Sequence, residues 1–333
     1  VTPGPALLVV GFEFRAWWLE GRPTQHLHAV YLVHEGLSVT VLTDTPCAAD
    51  RPAPEQFDAW AGQGGSAVVR PGEPVRLGPC YIPKPWGREI WFTGVEERGV
   101  CSFDGPGCTP IPWLQAVMPD AGLGAPGRPL VLLKILDPSP AEVTGDLYFE
   151  MHEEKREVYV VTHVDPRAWP DGTGYIRFGY KPEAVAEAGG DDLFREAYLA
   201  AVKRYEGVRR TLDAGNVDPA LVAREVELRR EMDALTHMRP LRVGDVVTVP
   251  LQMPHSLQHG VRTIEFQTPV YERSILSFAQ RVLTQDHWDT ERAVPRMRLL
   301  APEPEPFMVL PGGTGNRVER VVDFPDFEVC RVR

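Results

Sequence analysis

The amino-acid sequence predicts a mainly β protein, a barrel or a sandwich, with one helical insertion. Three observations favour this fold class. First, 33 prolines and 30 glycines divide the 333 residues into short pieces, and proline is about twice as frequent as usual. Second, most apolar runs between them have the length and composition of strands. Third, a single region has apolar side chains at the three- and four-residue spacing of an amphipathic helix.

The predicted strands are distributed along much of the chain. Each is a short apolar run bounded by turn-forming residues, as expected for a small barrel or sandwich. These runs are Ala6–Phe14, His28–Leu32, Ser38–Leu42, Leu130–Leu136, Glu157–Thr162, Asp245–Val249 and Arg262–Gln267. A last β-type segment, residues 316–333, follows an acidic, proline-rich linker.

Two consecutive helices are predicted between these strands. The first covers Asp191–Leu212, where apolar residues recur every three or four positions. The second begins with Asp218 as N-cap and Pro219 at the first helical position, a favoured pairing of cap and first residue. It is expected to end near Thr236, before Pro240. The insertion is therefore a helical hairpin.

Charge and cysteine content exclude several classes of partner. The formal net charge is −11, whereas nucleic acids and anionic membranes bind basic patches. No apolar run approaches the length of about 18–20 residues that spans a membrane. The five cysteines are odd in number and scattered, which favours a reducing, cytoplasmic setting. Basic residues in a pocket could still bind a small phosphate.

Polar residues typical of metal ligands occupy two distant segments. Glu150 and His152 lie two apart in a strand-like run, so their side chains point to the same face. Glu157 follows at the start of the next apolar run, and His255 lies after a later β-type run. Two carboxylates and two imidazoles predict one divalent-metal site, suited to zinc but also to manganese, iron or nickel.

These two segments resemble the two motifs of the cupin superfamily. In the second segment, Gly244, Pro250 and His255 keep the usual motif spacing. In the first, His152 and Glu157 match the motif, while Glu150 stands where cupins usually have another histidine.

Within the cupins, the chain is similar to the type I phosphomannose isomerases. That family carries an apolar strand with a lysine, then Gln-x-His, Lys-x-Glu, a later histidine, Glu-x-Gln and an arginine. The matching residues here, in the same order, are Lys134, Glu150, His152, Lys155, Glu157, His255, Glu265, Gln267 and Arg273. The resemblance covers roughly residues 81–294 and implies a cupin, jelly-roll type β-barrel.

The residue patterns and the resemblance together predict a domain organisation. Residues 1–80, which the resemblance does not cover, are expected to form an additional N-terminal β-rich extension. Residues 81–182 and 239–294 form the metal-binding barrel, and residues 183–238 are the helical insertion. Residues 295–333 are expected to form a C-terminal β segment. We expect its strand, within residues 316–333, to pack against strands from residues 1–80 and to complete their β structure out of sequence order.

The same resemblance assigns roles to individual residues. The expected ligands of one divalent metal, zinc by resemblance, are Glu150, His152, Glu157 and His255. The expected catalytic residues are Arg273, Glu265 and Lys155. Lys134 and Tyr148 occupy positions that bind substrate. Lys134 lies within an apolar strand, where a lone charge is costly unless it is paired.

The implied function is aldose–ketose isomerisation of the mannose 6-phosphate to fructose 6-phosphate type. In that chemistry a metal holds the substrate oxygens and an arginine stabilises the enediolate. Two alternatives stay open. One is another metal-dependent cupin enzyme, a dioxygenase or an epimerase; the other is a sugar-sensing cupin without catalysis. Bound iron would favour oxygen chemistry.

Three departures from the family pattern predict that the chain is a slow phosphomannose isomerase or acts on another substrate. Glu150 stands where the family has a glutamine, and its negative charge lowers the net charge of the metal centre. Tyr148 replaces a phosphate-binding serine. The spacing between Glu265 and Arg273 is two residues shorter than in the family, which shifts the arginine.

Overall fold

The computed structural model of the protein describes residues 4–44, 53–104, 108–118, 123–124, 127–311 and 316–333. The chain divides into two compact units. Unit 1 consists of Val1–Ile82 and Ile90–Lys134, and unit 2 of Pro83–Glu89 and Ile135–Arg333. Residues 90–134 therefore cluster with the N-terminal region, although the resemblance placed the barrel from residue 81 onward.

Strands predominate over helices, as expected for a mainly β protein. The strands are β1 (Ala6–Arg15), β2 (Thr24–Val33), β3 (Leu37–Leu42), β4 (Leu77–Gly78), β5 (Cys80–Lys84), β6 (Gly87–Trp91), β7 (Val95–Glu96), β8 (Gly99–Val100), β9 (Ser102–Phe103), β10 (Thr109–Pro110), β11 (Leu132–Pro138), β12 (Phe149–Met151), β13 (Glu157–Val164), β14 (Gly174–Tyr180), β15 (Thr236–Leu241), β16 (Val246–Val249), β17 (His255–Leu257), β18 (Val261–Gln267), β19 (Ser274–Ser277), β20 (Met308–Leu310), β21 (Val318–Asp323) and β22 (Glu328–Val332). The helices are α1 (Gln56–Gly64), α2 (Ile111–Gln115), α3 (Pro182–Glu187), α4 (Asp191–Asp213), α5 (Pro219–Asp233) and α6 (Thr290–Ala293). None of the described helices is long and apolar enough to span a membrane.

Unit 1 is built on an antiparallel sheet of order β1-β2-β3. A second small sheet has the order β10-β9-β4. Unit 1 has an apolar core of its own, which includes the buried side chains of Phe14, Trp91 and Phe103. Burying each such large apolar side chain stabilises the fold by about 1.5–3 kcal/mol.

Two larger sheets include strands of unit 2. One has the order β16-β13-β18-β11-β6-β5, and in it residues 83–89 and those from Ile135 onward belong to unit 2. The other has the order β15-β14-β17-β12-β19. β13 is central in its part of the first sheet because it pairs antiparallel with both β16 and β18.

In the β15-β14-β17-β12-β19 sheet, strand register determines where the polar residues singled out above lie. β12 lies between β17 and β19, and Glu150 is directly opposite His255 across the pair. Alternation along β12 turns Phe149 and Met151 into the apolar core, which leaves Glu150 and His152 on the opposite face.

The helical hairpin is confirmed. The Asp218 carboxylate accepts a hydrogen bond from the Ala220 N–H at 2.8 Å and caps α5. Phe194, Tyr198 and Tyr205 form the buried stripe of α4. α5 ends at Asp233, three residues before the expected end, because Thr236 already pairs with β14 as the first residue of β15.

The C-terminal strands form a sheet of their own with the order β20-β21-β22, and they belong to unit 2. The expectation that this segment completes the β structure of residues 1–80 is therefore wrong. β21 and β22 are joined by a short turn, in which the Phe324 N–H donates to the Phe327 carbonyl at 2.9 Å. A local hairpin costs less loop-closure entropy than pairing with a distant segment.

Candidate metal centre

Glu150, His152 and His255 converge at one end of β12. Each offers a ligand atom, and these atoms lie within 4.8 Å of one another. The two imidazole ring centroids are 5.3 Å apart. Both histidines are buried, while the Glu150 side chain retains some exposure. The strand pairing of β12 with β17 thus brings distant parts of the sequence together.

Glu157 lies against both histidines from the first residue of β13. Its Oε1 is 3.3 Å from His152 Nε2, and its Oε2 is 3.1 Å from His255 Nε2. The side chain is 1% exposed. All four residues expected to bind metal therefore belong to one cluster in unit 2.

The other ring nitrogens fix the tautomers of these histidines. His152 Nδ1 is 3.0 Å from the Glu272 carbonyl oxygen, and His255 Nδ1 is 2.9 Å from that of Met253. A carbonyl oxygen only accepts, so each Nδ1 carries a proton and donates it. A neutral ring then presents an Nε2 lone pair to the cluster.

These lone pairs face the Glu157 carboxylate, which is also an acceptor. Two acceptors at about 3 Å repel unless a proton or a cation lies between them. Burial raises the pKa of Glu157, but Lys155 and the two histidines outweigh this and hold it well below its usual range. Burial lowers the pKa of His255, but its hydrogen bond to Glu157 outweighs this and raises it. A divalent ion can replace the proton between a histidine Nε2 and the Glu157 carboxylate.

The donor set fits such an ion. Two imidazole nitrogens and two carboxylates are ligands that zinc accepts, and other first-row metals accept them too. Glu150 Oε2 is buried and accepts no hydrogen bond. The Arg273 guanidinium lies 3.9 Å from this oxygen. This oxygen therefore has a lone pair available for a ligand bond.

Lys155 and Tyr159 hold the Glu157 carboxylate. The buried Lys155 Nζ is 2.7 Å from Oε1, so this residue is ion-paired rather than solvated. The Tyr159 hydroxyl donates to Oε2 at 2.8 Å. The sequence interpretation missed Tyr159, although its position two residues after Glu157 on one strand was a usable signal.

Arg273 and Tyr148 lie next to the cluster. The Arg273 guanidinium is 4.7 Å from the centre of the Tyr148 ring, and it donates to Thr284 at 2.6 Å. Burial lowers its pKa, but the negative charge of Glu150 outweighs this and raises it. The Tyr148 ring is buried against Phe278, and burial raises its pKa to about 12.

The remaining two predicted site residues are also buried. Glu265 lies on β18 directly opposite Tyr159 and is 1% exposed. Lys134 is the last residue of unit 1 and is 7% exposed, on the buried side of β11 together with Leu132. It is therefore not a solvated surface lysine, and its role in substrate binding stays a prediction.

Comparisons with solved structures identify the fold. The sequence matches no protein-family model and no curated protein. Among solved structures, mannose 6-phosphate isomerase from Bacillus subtilis matches with a TM-score of 0.52 at 15% identity, covering 77% of this chain and 79% of that one. The chain has the phosphomannose isomerase fold.

Two further structures with the phosphomannose isomerase fold agree. A point mutant of phosphomannose isomerase from Salmonella typhimurium and a zinc-bound mannose 6-phosphate isomerase each match with a TM-score of 0.50 at 12% identity. Each match covers 77% of this chain and 82% of the other. The mainly β, cupin-type fold expected from the sequence is thereby confirmed.

Proposed function

We propose that the chain binds one divalent metal, zinc by preference, and catalyses aldose–ketose isomerisation of a small sugar phosphate. The observation that carries the metal assignment is the pair of histidine Nε2 atoms 3.3 and 3.1 Å from the buried Glu157 carboxylate, while each Nδ1 lies on a backbone carbonyl. The substrate class rests on the phosphomannose isomerase fold and on the order of the matching residues. One of the matching structures is a zinc-bound enzyme.

Each chemical role that the proposed isomerisation needs is assigned to a residue. Glu150, His152, Glu157 and His255 hold the metal, which when bound polarises the substrate carbonyl. Arg273 stabilises the negative charge of the enediolate, and it is held beside Glu150 by stacking on Tyr148. The further roles that we propose are catalytic for Glu265 and Lys155 and substrate-binding for Lys134 and Tyr148.

The electrostatics of the cluster predict slow isomerisation of mannose 6-phosphate. With Glu150 and Glu157 both ionised, a divalent ion is neutralised and becomes a weaker Lewis acid. Arg273 is also partly engaged by the Glu150 carboxylate, at 3.9 Å, and is therefore less available to an enediolate. Both effects reduce stabilisation of the developing charge.

The test combines metal analysis of the purified protein with a coupled mannose 6-phosphate to fructose 6-phosphate assay. We expect about one zinc ion per chain and a turnover below the ordinary enzyme range of about 1–1000 per second. Glu150→Gln together with Tyr148→Ser should then raise the turnover. Metal-free protein with full activity would contradict the proposal, and so would a metal-loaded protein that neither binds nor converts any sugar phosphate.

One observation favours a second candidate. Three of the four residues, Glu150, His152 and His255, form a two-histidine, one-carboxylate group, which is a ligand set of non-haem iron oxygenases. Glu157 is then held by Lys155 and Tyr159 as an outer residue. Iron in the purified protein, with oxygen consumption on addition of a substrate, would favour this alternative over isomerisation.

The proposed setting is the cytoplasm and the proposed partner a small molecule. The four cysteines within the described part of the chain, Cys80, Cys101, Cys108 and Cys330, are free thiols. This agrees with a reducing compartment.

A further inference from the structure

Glu272 touches the candidate metal centre in two ways, although no sequence motif contains it. Its backbone carbonyl accepts the Nδ1 proton of His152 at 3.0 Å. Its side-chain Oε2 accepts the backbone N–H groups of Glu153, Glu154 and Lys155 at 3.0, 3.1 and 3.4 Å. One residue therefore binds both the ring of a metal ligand and the turn that follows it.

The turn at residues 153–155 connects His152 to Glu157. Its three successive N–H groups point at one carboxylate oxygen, an arrangement that binds anions well. Without that oxygen these donors would lose their partner, and the turn would lose its attachment to the loop before β19. The Glu272 carboxylate thus limits where the chain places His152 relative to Glu157.

The next residue, Arg273, lies beside Glu150 on the same strand pair. β19 begins at Ser274, which pairs with Met151 of β12. Glu272 and Arg273 therefore extend the β12–β19 contact toward the cluster, one toward His152 and the other toward Glu150. Two adjacent residues contact two of the proposed ligands.

We propose that Glu272 is a positioning residue for the metal centre, fixing the His152 ring and the turn to Glu157 before metal binds. This inference rests on the proposed metal site but not on the isomerase activity. Carbonyl or carboxylate partners of a ligand histidine orient the ring, and losing one typically weakens metal binding about 10–100-fold. Substituting Glu272 removes only the carboxylate, because every residue at this position keeps the backbone carbonyl.

The experiment measures Zn²⁺ affinity by competition with a chromogenic chelator for wild type, Glu272→Ala, Glu272→Gln and Glu154→Ala. Glu154 is exposed, lies in the same turn and carries the same charge, so its variant controls for the lost charge. We expect Glu272→Ala to bind Zn²⁺ about 10–100-fold more weakly than Glu154→Ala. Glu272→Gln should recover part of the loss, because its amide oxygen still accepts N–H groups.

Two spectroscopic readouts separate positioning from general destabilisation. The Co²⁺-loaded Glu272→Ala protein should show a changed d–d absorption spectrum, while that of Glu154→Ala matches wild type. In the metal-free protein, ¹⁵N-histidine spectra should show a mixture of His152 tautomers in Glu272→Ala, because the loop that carries the residue-272 carbonyl is no longer tied to the turn by the carboxylate. If Glu272→Ala does not fold, the affinity and spectra of Glu272→Gln decide in its place.

Equal Zn²⁺ affinity and equal spectra in the Glu272 and Glu154 variants would overturn the proposal. Wild-type protein without Zn²⁺ affinity would overturn it together with the metal assignment. Normal Zn²⁺ binding without sugar-phosphate conversion would overturn only the isomerase function and leave the role of Glu272 standing.

Discussion

Two histidines of the cluster share one hydrogen-bonding arrangement. Because backbone carbonyls accept from Nδ1 of His152 and His255, only Nε2 of each ring is left to bind a ligand. That nitrogen faces Glu157 in both cases. A divalent ion bound as proposed would replace a proton at this point between three side chains.

Replacing one of these rings should abolish metal binding. We expect His255→Ala to lower metal affinity by more than about 100-fold, since a ligand is lost rather than an outer partner. The measurement is metal content after dialysis against a weak chelator. His163→Ala, which changes an exposed histidine of β13, should keep its metal. Full metal content in His255→Ala would contradict the assignment.

The Tyr159 hydroxyl should matter through Glu157. Tyr159→Phe removes the donor to Glu157 Oε2 and keeps the ring that packs near His255 at 6.1 Å. We expect a loss of about 1 kcal/mol in the free energy of unfolding and roughly 10-fold weaker metal binding. Denaturant titration and chelator competition measure the two effects. Unchanged metal affinity would show that Lys155 alone holds the carboxylate.

At the level of elements, strand register assembles unit 2. The pairing of Glu150 with His255 is one residue pair in a five-stranded sheet. A slip of one residue would move Glu150 to the face now occupied by Phe149 and Met151. Apolar packing on one face of β12 therefore also fixes the polar face.

Asp137 of β11 links neighbouring strands of the other sheet. Its carboxylate accepts from Arg88 of β6 at 2.7 Å and from Arg262 of β18 at 2.8 Å. Partial burial raises the pKa of Asp137, but these two arginines outweigh it and lower the pKa. A lowered pKa stabilises the fold above the unfolded-state value of about 3.9, and this contribution is lost as the pH falls through the folded-state value.

Asp137→Asn should therefore destabilise the protein in a pH-dependent way. We expect a loss of about 1 kcal/mol at neutral pH, because both arginines are half-exposed and partly screened. The difference from wild type should shrink as the pH falls below about 4. Denaturation curves at several pH values measure it. Asp192→Asn, at a side chain 96% exposed, should change little at any pH.

At the level of the whole molecule, metal binding should couple to folding. A ligand that binds only the folded state stabilises it by about 2.7 kcal/mol at 100 times its Kd. We expect added Zn²⁺ to raise the Tm of chelator-treated wild type by several degrees and to leave that of His255→Ala unchanged. The Tm shift should also shrink in acid, because protons compete for the histidines.

The pH at which that competition begins follows from the raised pKa of His255. It should begin above the ordinary histidine value of about 6.5. Zn²⁺ titrations between neutral and mildly acidic pH measure it. An affinity that is constant through this range would mean that no histidine changes protonation on binding.

Local patterns were enough to predict much of this molecule. The α4–α5 hairpin follows from apolar spacing and from the Asp218 cap, since both act within a few residues. The predicted runs in the described chain all overlap observed strands, such as Glu157–Val164 and Val261–Gln267. The four proposed metal ligands were found because alternation on β12 and the order of the motifs are properties of the sequence itself.

Tertiary structure decided what depends on long-range pairing. The grouping of residues 90–134 with unit 1 and the separate sheet of β20, β21 and β22 reflect contacts that no local pattern encodes. Glu272 reaches His152 through its backbone carbonyl, a group that every residue carries, so its identity gave no signal. The sequence alone therefore determined which residues could bind a metal. Strand register determined which partners hold those residues, because hydrogen bonds and buried charges act between groups that are close in space and distant in sequence.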